Sequence, residues 1–237
     1  MKILKDKLSK LSGGRILDVG TGRGEFIKLL SENIGHYDQI VGIDSHQGIL
    51  IEAKEKLEIR NVELFQMDAD RMTFEDESFD MVCLSNTLHH LSDIEGVINE
   101  MKRVLKHGGL FIINEMFCDQ QNEAQMSHVL VHHIGADIDM ITNRMHHQYT
   151  YKKEAILEIA HVNSIQIVDT FEFKYDDEVN RNEDYHDEIY QFLIEKLSTI
   201  QQSSRYDEIK NRIEDAKKWT HTYGFAGATQ MIMIGVK

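Results

Sequence analysis

Short apolar runs and amphipathic stretches alternate through the first half of the chain. Arg15–Val19 and residues 39–43, 62–66, 79–84 and 110–114 are brief and rich in Ile, Val, Leu and Phe. Continuous apolar runs bounded by turn residues suit parallel strands buried on both faces. Between them, apolar positions recur at three- and four-residue spacing and predict helices over about 24–33, 47–57 and 93–106. A short amphipathic helix over residues 2–11 is closed by Ser12-Gly13-Gly14, and Gly108-Gly109 opens the fifth strand. This alternation predicts an α/β fold, an open and mostly parallel sheet with helices on both faces.

After Glu115 the alternation breaks. Residues 117–150 are polar and rich in His and Met, and predict an insertion with one or two helices. A helix at about 152–161 and a strand over 165–173 resume the pattern. An acidic stretch, 172–188, leads into helical segments near 184–202 and 205–220, and residues 227–236 form the last strand. The excursion over about 176–222 is too long for an ordinary connection and predicts a packed helical element, a partial lid or a dimer contact.

Composition narrows the picture. At 237 residues, a single domain carrying those two insertions is the natural reading. A net charge of −14 with no Lys/Arg-rich stripe disfavours nucleic acid, whose binding rests on neutralising phosphates. No run of 18 apolar residues and no leader pattern occurs, which predicts a soluble, cytoplasmic protein without a membrane partner. Cys83 and Cys118 are too few for a disulfide scaffold or a cysteine zinc site. The chain has no proline, so element boundaries rest on glycine and charge.

Candidate chemistry begins at residues 16–24, Ile-Leu-Asp-Val-Gly-Thr-Gly-Arg-Gly, an apolar strand running into a glycine turn and then a helix. That order favours a ligand at the helix N-terminus. Gly20, Gly22 and Gly24 are spaced G-x-G-x-G, with Asp18 two positions before the first. A dinucleotide turn reads G-x-G-x-x-G and a phosphate loop ends Gly-Lys-Ser/Thr, so the pattern points to another adenosine-containing ligand. The second strand ends in Asp44, whose carboxylate can accept bonds from both ribose hydroxyls. The third exits through Asp68-Ala69-Asp70, and residues 78–91 carry the fourth into Ser85-Asn86 and His89-His90.

In this order the four motifs resemble a class I S-adenosylmethionine-dependent methyltransferase, nearest the type 11 or ubiquinone/menaquinone-methyltransferase-like enzymes, over roughly residues 14–116. The resemblance implies a Rossmann-like seven-stranded sheet in the order 3-2-1-4-5-7-6 with the last strand antiparallel. It also implies S-adenosylmethionine as cofactor, S-adenosylhomocysteine as product and a small-molecule acceptor. Asp18 would bond the methionine ammonium, Gly20, Thr21 and Gly22 would line the methionine and ribose, and Asp44 would hold the ribose. Ser45 and His46 would border the adenosine, Asp68 would read the adenine amine with Ala69 giving a backbone contact, and Ser85 and Asn86 would flank the methionine end. It further implies substrate-covering structure over about 117–150, and a homodimer is the candidate assembly. Competing readings are a protein or RNA methyltransferase, and a catalytically silent cofactor-binding module, which a large dimer interface through 176–222 would favour.

The histidines leave alternatives open. His89 and His90 either pack against the cofactor loop and cap the next helix, or one of them does acid–base work. His128 and His132, four residues apart, share a helix face. They line a pocket, act as a base or substrate-bonding group, or bind a metal with Cys118, Asp119 and Asp137. The spacing matches no metal motif, so no metal is assigned. Glu115, ending the fifth strand, either orients the acceptor and takes its proton or bonds the neighbouring loop. The catalytic candidates are therefore His89, Glu115, His128 and His132.

Overall fold

The strands read from the apolar runs align edge to edge in one seven-stranded sheet. The structure is a computed structural model that describes residues 1–143, 145–175 and 178–237. Its strands are β1 (Arg15–Val19), β2 (Gln39–Asp44), β3 (Val62–Gln66), β4 (Phe79–Ser85), β5 (Leu105–Met116), β6 (Gln166–Phe173) and β7 (Gln230–Val236). Its helices are α1 (Lys2–Leu8), α2 (Glu25–Asn33), α3 (Gln47–Lys56), α4 (Ile94–Val104), α5 (Glu123–Thr142), α6 (Lys153–Val162), α7 (Glu183–Leu197) and α8 (Tyr206–Tyr223). The order across the sheet is β3-β2-β1-β4-β5-β7-β6, with the last strand antiparallel, as expected.

Residues 1–115, 156–173 and 231–237 form one compact unit, and residues 116–155 and 174–230 a second. In the first unit, β1 lies between β2 and β4, all parallel, and is buried from Ile16 to Val19. Its register sets Asp18 opposite Gly42 on one side and Cys83 on the other. Asp44 pairs with Gln66, and Ser85 with Asn114. The carboxyl ends of four neighbouring strands thereby come together, where ligands of such sheets lie. Leu4 and Leu8 of α1, Phe26, Ile27 and Leu30 of α2, and Ile16, Met81, Ile112, Phe171 and Ile232 of the sheet pack into one core.

Two readings shift. Burial on both faces does not extend to β3, where Phe65 is 41% exposed and no residue is fully buried, because β3 is a sheet edge. Helix α4 stops at Val104 rather than near 106, and β5 begins at Leu105 instead of 110. Leu105 pairs with Phe79, across an irregularity in the β4 register, and this adds a segment to the strand that its apolar run does not signal.

In the second unit, the region read as an insertion with one or two helices carries the 20-residue helix α5. A reciprocal pair of bonds starts it: Gln125 N–H donates to Asn122 Oδ1 (3.0 Å) and Asn122 N–H to Gln125 Oε1 (3.1 Å). Asn143, in the left-handed conformation, ends it. Ile134 and Ile138 of α5 pack with Tyr190, Leu193 and Leu197 of α7 and Ile209 and Ile213 of α8. The excursion between the last two strands is thus a packed helical element. Of the acidic stretch, Asp176 and Asp177 lie outside the described residues. Among the described residues no helix is long and apolar enough to cross a membrane.

Candidate active site

The glycine turn hangs from the end of β2. Gly20 N–H and Thr21 N–H both donate to Ile43 O at 2.9 Å. One step on, Gly22 N–H donates to Asp44 Oδ2 (3.0 Å) and His46 N–H to Asp44 Oδ1 (2.9 Å). The Asp44 carboxylate therefore stitches the turn to the β2–α3 loop while each oxygen keeps capacity for a further donor. Gly20 has φ +71°, and a Cβ built there would lie 2.4 Å from Thr87 Cγ2. Only glycine fits a position that is both left-handed and in contact. Gly22 has φ +55° and nothing within 4 Å of a built Cβ, so the turn is open on that side.

Asp18, the penultimate residue of β1, lies two positions before Gly20 and is 1% exposed. The Thr21 hydroxyl donates to the backbone carbonyl of Asp18 at 3.0 Å, not to its side chain. Neither carboxyl oxygen has a hydrogen-bond partner among the described residues. Burial pushes the carboxyl up from 3.8 to about 7, and the nearby Asp44 and Glu25 carboxylates add to the rise. A buried acid without a donor is costly, and it is relieved by a cation that brings its own N–H groups.

The loop after β4 is set by Glu115. This residue is 1% exposed, and its Oε1 accepts from Thr87 N–H and Leu88 N–H, both at 2.7 Å. Its Oε2 faces Nδ1 of the buried His89 at 3.3 Å. Two of the four catalytic candidates are thus brought together, with the Glu115 carboxylate committed to the neighbouring loop. Asn114 adds two ties, donating from Nδ2 to Ser85 Oγ (2.9 Å) and accepting from Asn86 N–H at 2.8 Å. Thr87 was not singled out in the sequence. Its hydroxyl donates to Ser85 O (2.9 Å) and its methyl fills the space in front of Gly20, so it couples the β4 loop to the glycine turn.

At the β3 exit, Met67 N–H donates to Asp44 O (3.0 Å) and Gln66 Nε2 to Ser45 O (3.0 Å). These bonds hold the Asp68-Ala69 segment beside the end of β2, with Asp68 exposed. Ser45 Oγ lies 3.1 Å from His46 Nδ1.

The other two catalytic candidates belong to the second unit. His128 Nδ1 accepts from Ala228 N–H (3.1 Å), and burial holds this imidazole below its usual range. It is therefore a neutral ring whose proton sits on Nε2. His132 Nε2 lies 3.4 Å from His147 Nε2. The partners considered for a metal on His128 and His132 are otherwise engaged. Asp137 accepts from Arg205 (2.9 Å), Arg212 and the Tyr149 hydroxyl (2.5 Å), and Asp119 accepts from Lys153 N–H at 2.9 Å.

Comparison with known proteins agrees with the geometry of the first unit. Residues 17–113 match the family described as "Methyltransferase domain". Demethylmenaquinone methyltransferase of Staphylococcus aureus is 36% identical over 115 residues, covering 48% of this chain and 47% of that protein. The chain spans about half the length of the curated relatives it matches. A candidate methyltransferase from Bacillus halodurans shares the fold over 100% of this chain and 99% of its own, with TM-score 0.63 and 22% identity. Phosphoethanolamine N-methyltransferase 2 of Haemonchus contortus, solved with S-adenosylhomocysteine, shares it over 100% of this chain and 52% of its own, with TM-score 0.56 and 19% identity. By this comparison residues 17–113 resemble a methyltransferase domain, and the solved neighbours share the fold of the whole chain.

Proposed function

We propose that this chain binds S-adenosylmethionine at the carboxyl ends of β1, β2, β3 and β4 and transfers its methyl group to a small-molecule acceptor. One observation carries the proposal: the buried Asp18 carboxyl, without a hydrogen-bond partner among the described residues, precedes an open glycine turn. The residues fit the cofactor. Asp18 accepts from the methionine ammonium, and the turn Gly20-Thr21-Gly22 presents backbone with no Cβ in the way. Asp44, already held by two backbone N–H groups, takes the ribose hydroxyls. Ser45 and His46 border the adenosine, Asp68 and Ala69 address the adenine, and Ser85 and Asn86 flank the methionine end.

Bound there, the cofactor supplies a methyl carbon made electrophilic by the sulfonium's positive charge. That carbon would be available for direct transfer to an acceptor, with S-adenosylhomocysteine as the leaving product. The protein's part is positional, and holding reactants in line is a large share of such a rate. Glu115 does this indirectly by fixing the Thr87-Leu88 backbone and the His89 ring, so we assign it and His89 as positioning residues. His128 offers an Nε2–H donor and, with Nδ1 occupied, no base at that atom.

A small acceptor is supported by the quinone-directed name of the S. aureus relative and by the net charge of −14. Incubation with methyl-labelled S-adenosylmethionine and cell extract tests it. Label in the small-molecule fraction is the expected result. Label confined to protein or RNA would replace this acceptor class with a macromolecule.

A further inference from the structure

A carboxylate on α5, Asp139, places a histidine of the second unit against a second one. Asp139 lies two turns beyond His132 on α5, so the two share a helix face. The segment after α5 returns His147 against that face, where His147 Nδ1 bonds Asp139 Oδ2 at 2.8 Å. Lys196 Nζ donates to the same oxygen at 2.6 Å. Asp139 is a carboxylate that accepts only, so the proton of a neutral His147 sits on Nδ1 and its lone pair on Nε2. That lone pair faces His132 Nε2 at 3.4 Å, with the ring planes 83° apart.

Distance decides what this pair is for. Protein hydrogen bonds from N–H groups cluster at about 2.7–3.2 Å, so 3.4 Å is long for a nitrogen-to-nitrogen bond. Two imidazole nitrogens each about 2.0–2.1 Å from one tetrahedral ion stand about 3.3–3.4 Å apart. A carboxylate behind the coordinating ring, on its other nitrogen, is the usual support of a metal-ligating histidine. Imidazole ligands suit zinc and its first-row neighbours rather than magnesium or calcium.

We propose that His132 and His147 coordinate one divalent transition-metal ion through their Nε2 atoms, with Asp139 orienting His147 from behind. This differs from the pair considered in the sequence, since His128 turns instead to Ala228 and His132 finds its partner in the chain beyond α5. The remaining coordination positions take water or other donors. Metal binding at this pair is tested without methyl transfer.

The test is a calorimetric titration of the metal-stripped full chain with zinc, without S-adenosylmethionine, repeated with cobalt to read its tetrahedral absorption. One equivalent is expected to bind at micromolar or lower concentration. His147→Gln and His132→Gln should each weaken binding at least tenfold, and Asp139→Asn about 10–100-fold. Circular dichroism of each variant separates a lost ligand from a lost fold, and His147→Gln removes no ion pair on Lys196. A native chain that takes up no zinc, or folded histidine variants that bind as well as the native chain, would overturn the proposal.

Discussion

Replacing Asp18 by Asn should make the ligand-free protein relatively more stable as pH rises, while impairing the site it serves. The folded-state carboxyl titrates near 7 instead of 3.8, so between these values the unfolded chain has released a proton that the folded chain keeps. Stability therefore falls as pH rises through that window. Above pH 7 the carboxyl is charged in both states, and burying that charge costs about 4 kcal/mol. At pH 5 the cost is only about 1.5 kcal/mol, because the folded form is still protonated. Asn cannot titrate. Its unpaired amide carries a penalty of about 1–3 kcal/mol, but that penalty is the same at both pH values. The stability of Asp18→Asn relative to the native protein should thus rise by about 3 kcal/mol from pH 5 to pH 8.5. Urea unfolding at the two pH values measures it, and histidine titrations cancel in the comparison. A difference unchanged with pH would refute the claim that Asp18 is a buried acid held neutral by its surroundings. The same variant should bind S-adenosylmethionine about 10- to 150-fold more weakly, through loss of a charge-assisted bond.

Other substitutions address the rest of the site. Asp44→Ala should weaken S-adenosylmethionine binding by about 1.5–3 kcal/mol by calorimetry, since the carboxylate that shapes the turn is the one proposed to take the ribose. Gly20→Ala should destabilise the fold by about 1–3 kcal/mol, and Thr87→Ala should recover part of that loss in the double variant, because Thr87 is what the new Cβ meets. Glu115→Ala should cost about 2–4 kcal/mol in urea unfolding by leaving two buried N–H groups without an acceptor. Glu115→Gln keeps an acceptor and should restore most of that stability, and in turnover it should lower kcat more than it raises KM, as loss of loop positioning would. Asp137→Asn should destabilise the second unit by about 1–3 kcal/mol near neutral pH. Burial raises the Asp137 carboxyl, but bonds from Tyr149, Arg212 and Arg205 outweigh it and hold it below the usual range, so its contribution is present above that range and lost as pH falls through the folded value.

What the sequence disclosed follows from how local each signal is. Asp18, Asp44 and Ser85 were readable because they lie at or one residue before the end of an apolar strand, and a parallel register lines those ends up. Thr87 was not, because its importance depends on Gly20, 67 residues earlier, and appears only when β1 and β4 pair. The extent of the single helix α5 was not read, because its His- and Met-rich sequence gave no clear helical period; its capping at Asn122 and Gln125 is seen in the structure. The early start of β5 came from pairing with Phe79 and not from hydrophobicity. The tie between Asp139 and His147 spans a helix end and a loop, for which no sequence period exists.

Calorimetric titration with S-adenosylmethionine at pH 6, in two buffers of different ionisation enthalpy, reads cofactor binding and proton release at Asp18 together. One equivalent should bind with close to one proton released, because Asp18 is largely protonated in the free protein and would ionise to accept the ammonium. Failure of both S-adenosylmethionine and S-adenosylhomocysteine to bind, or binding without proton release, would contradict this reading.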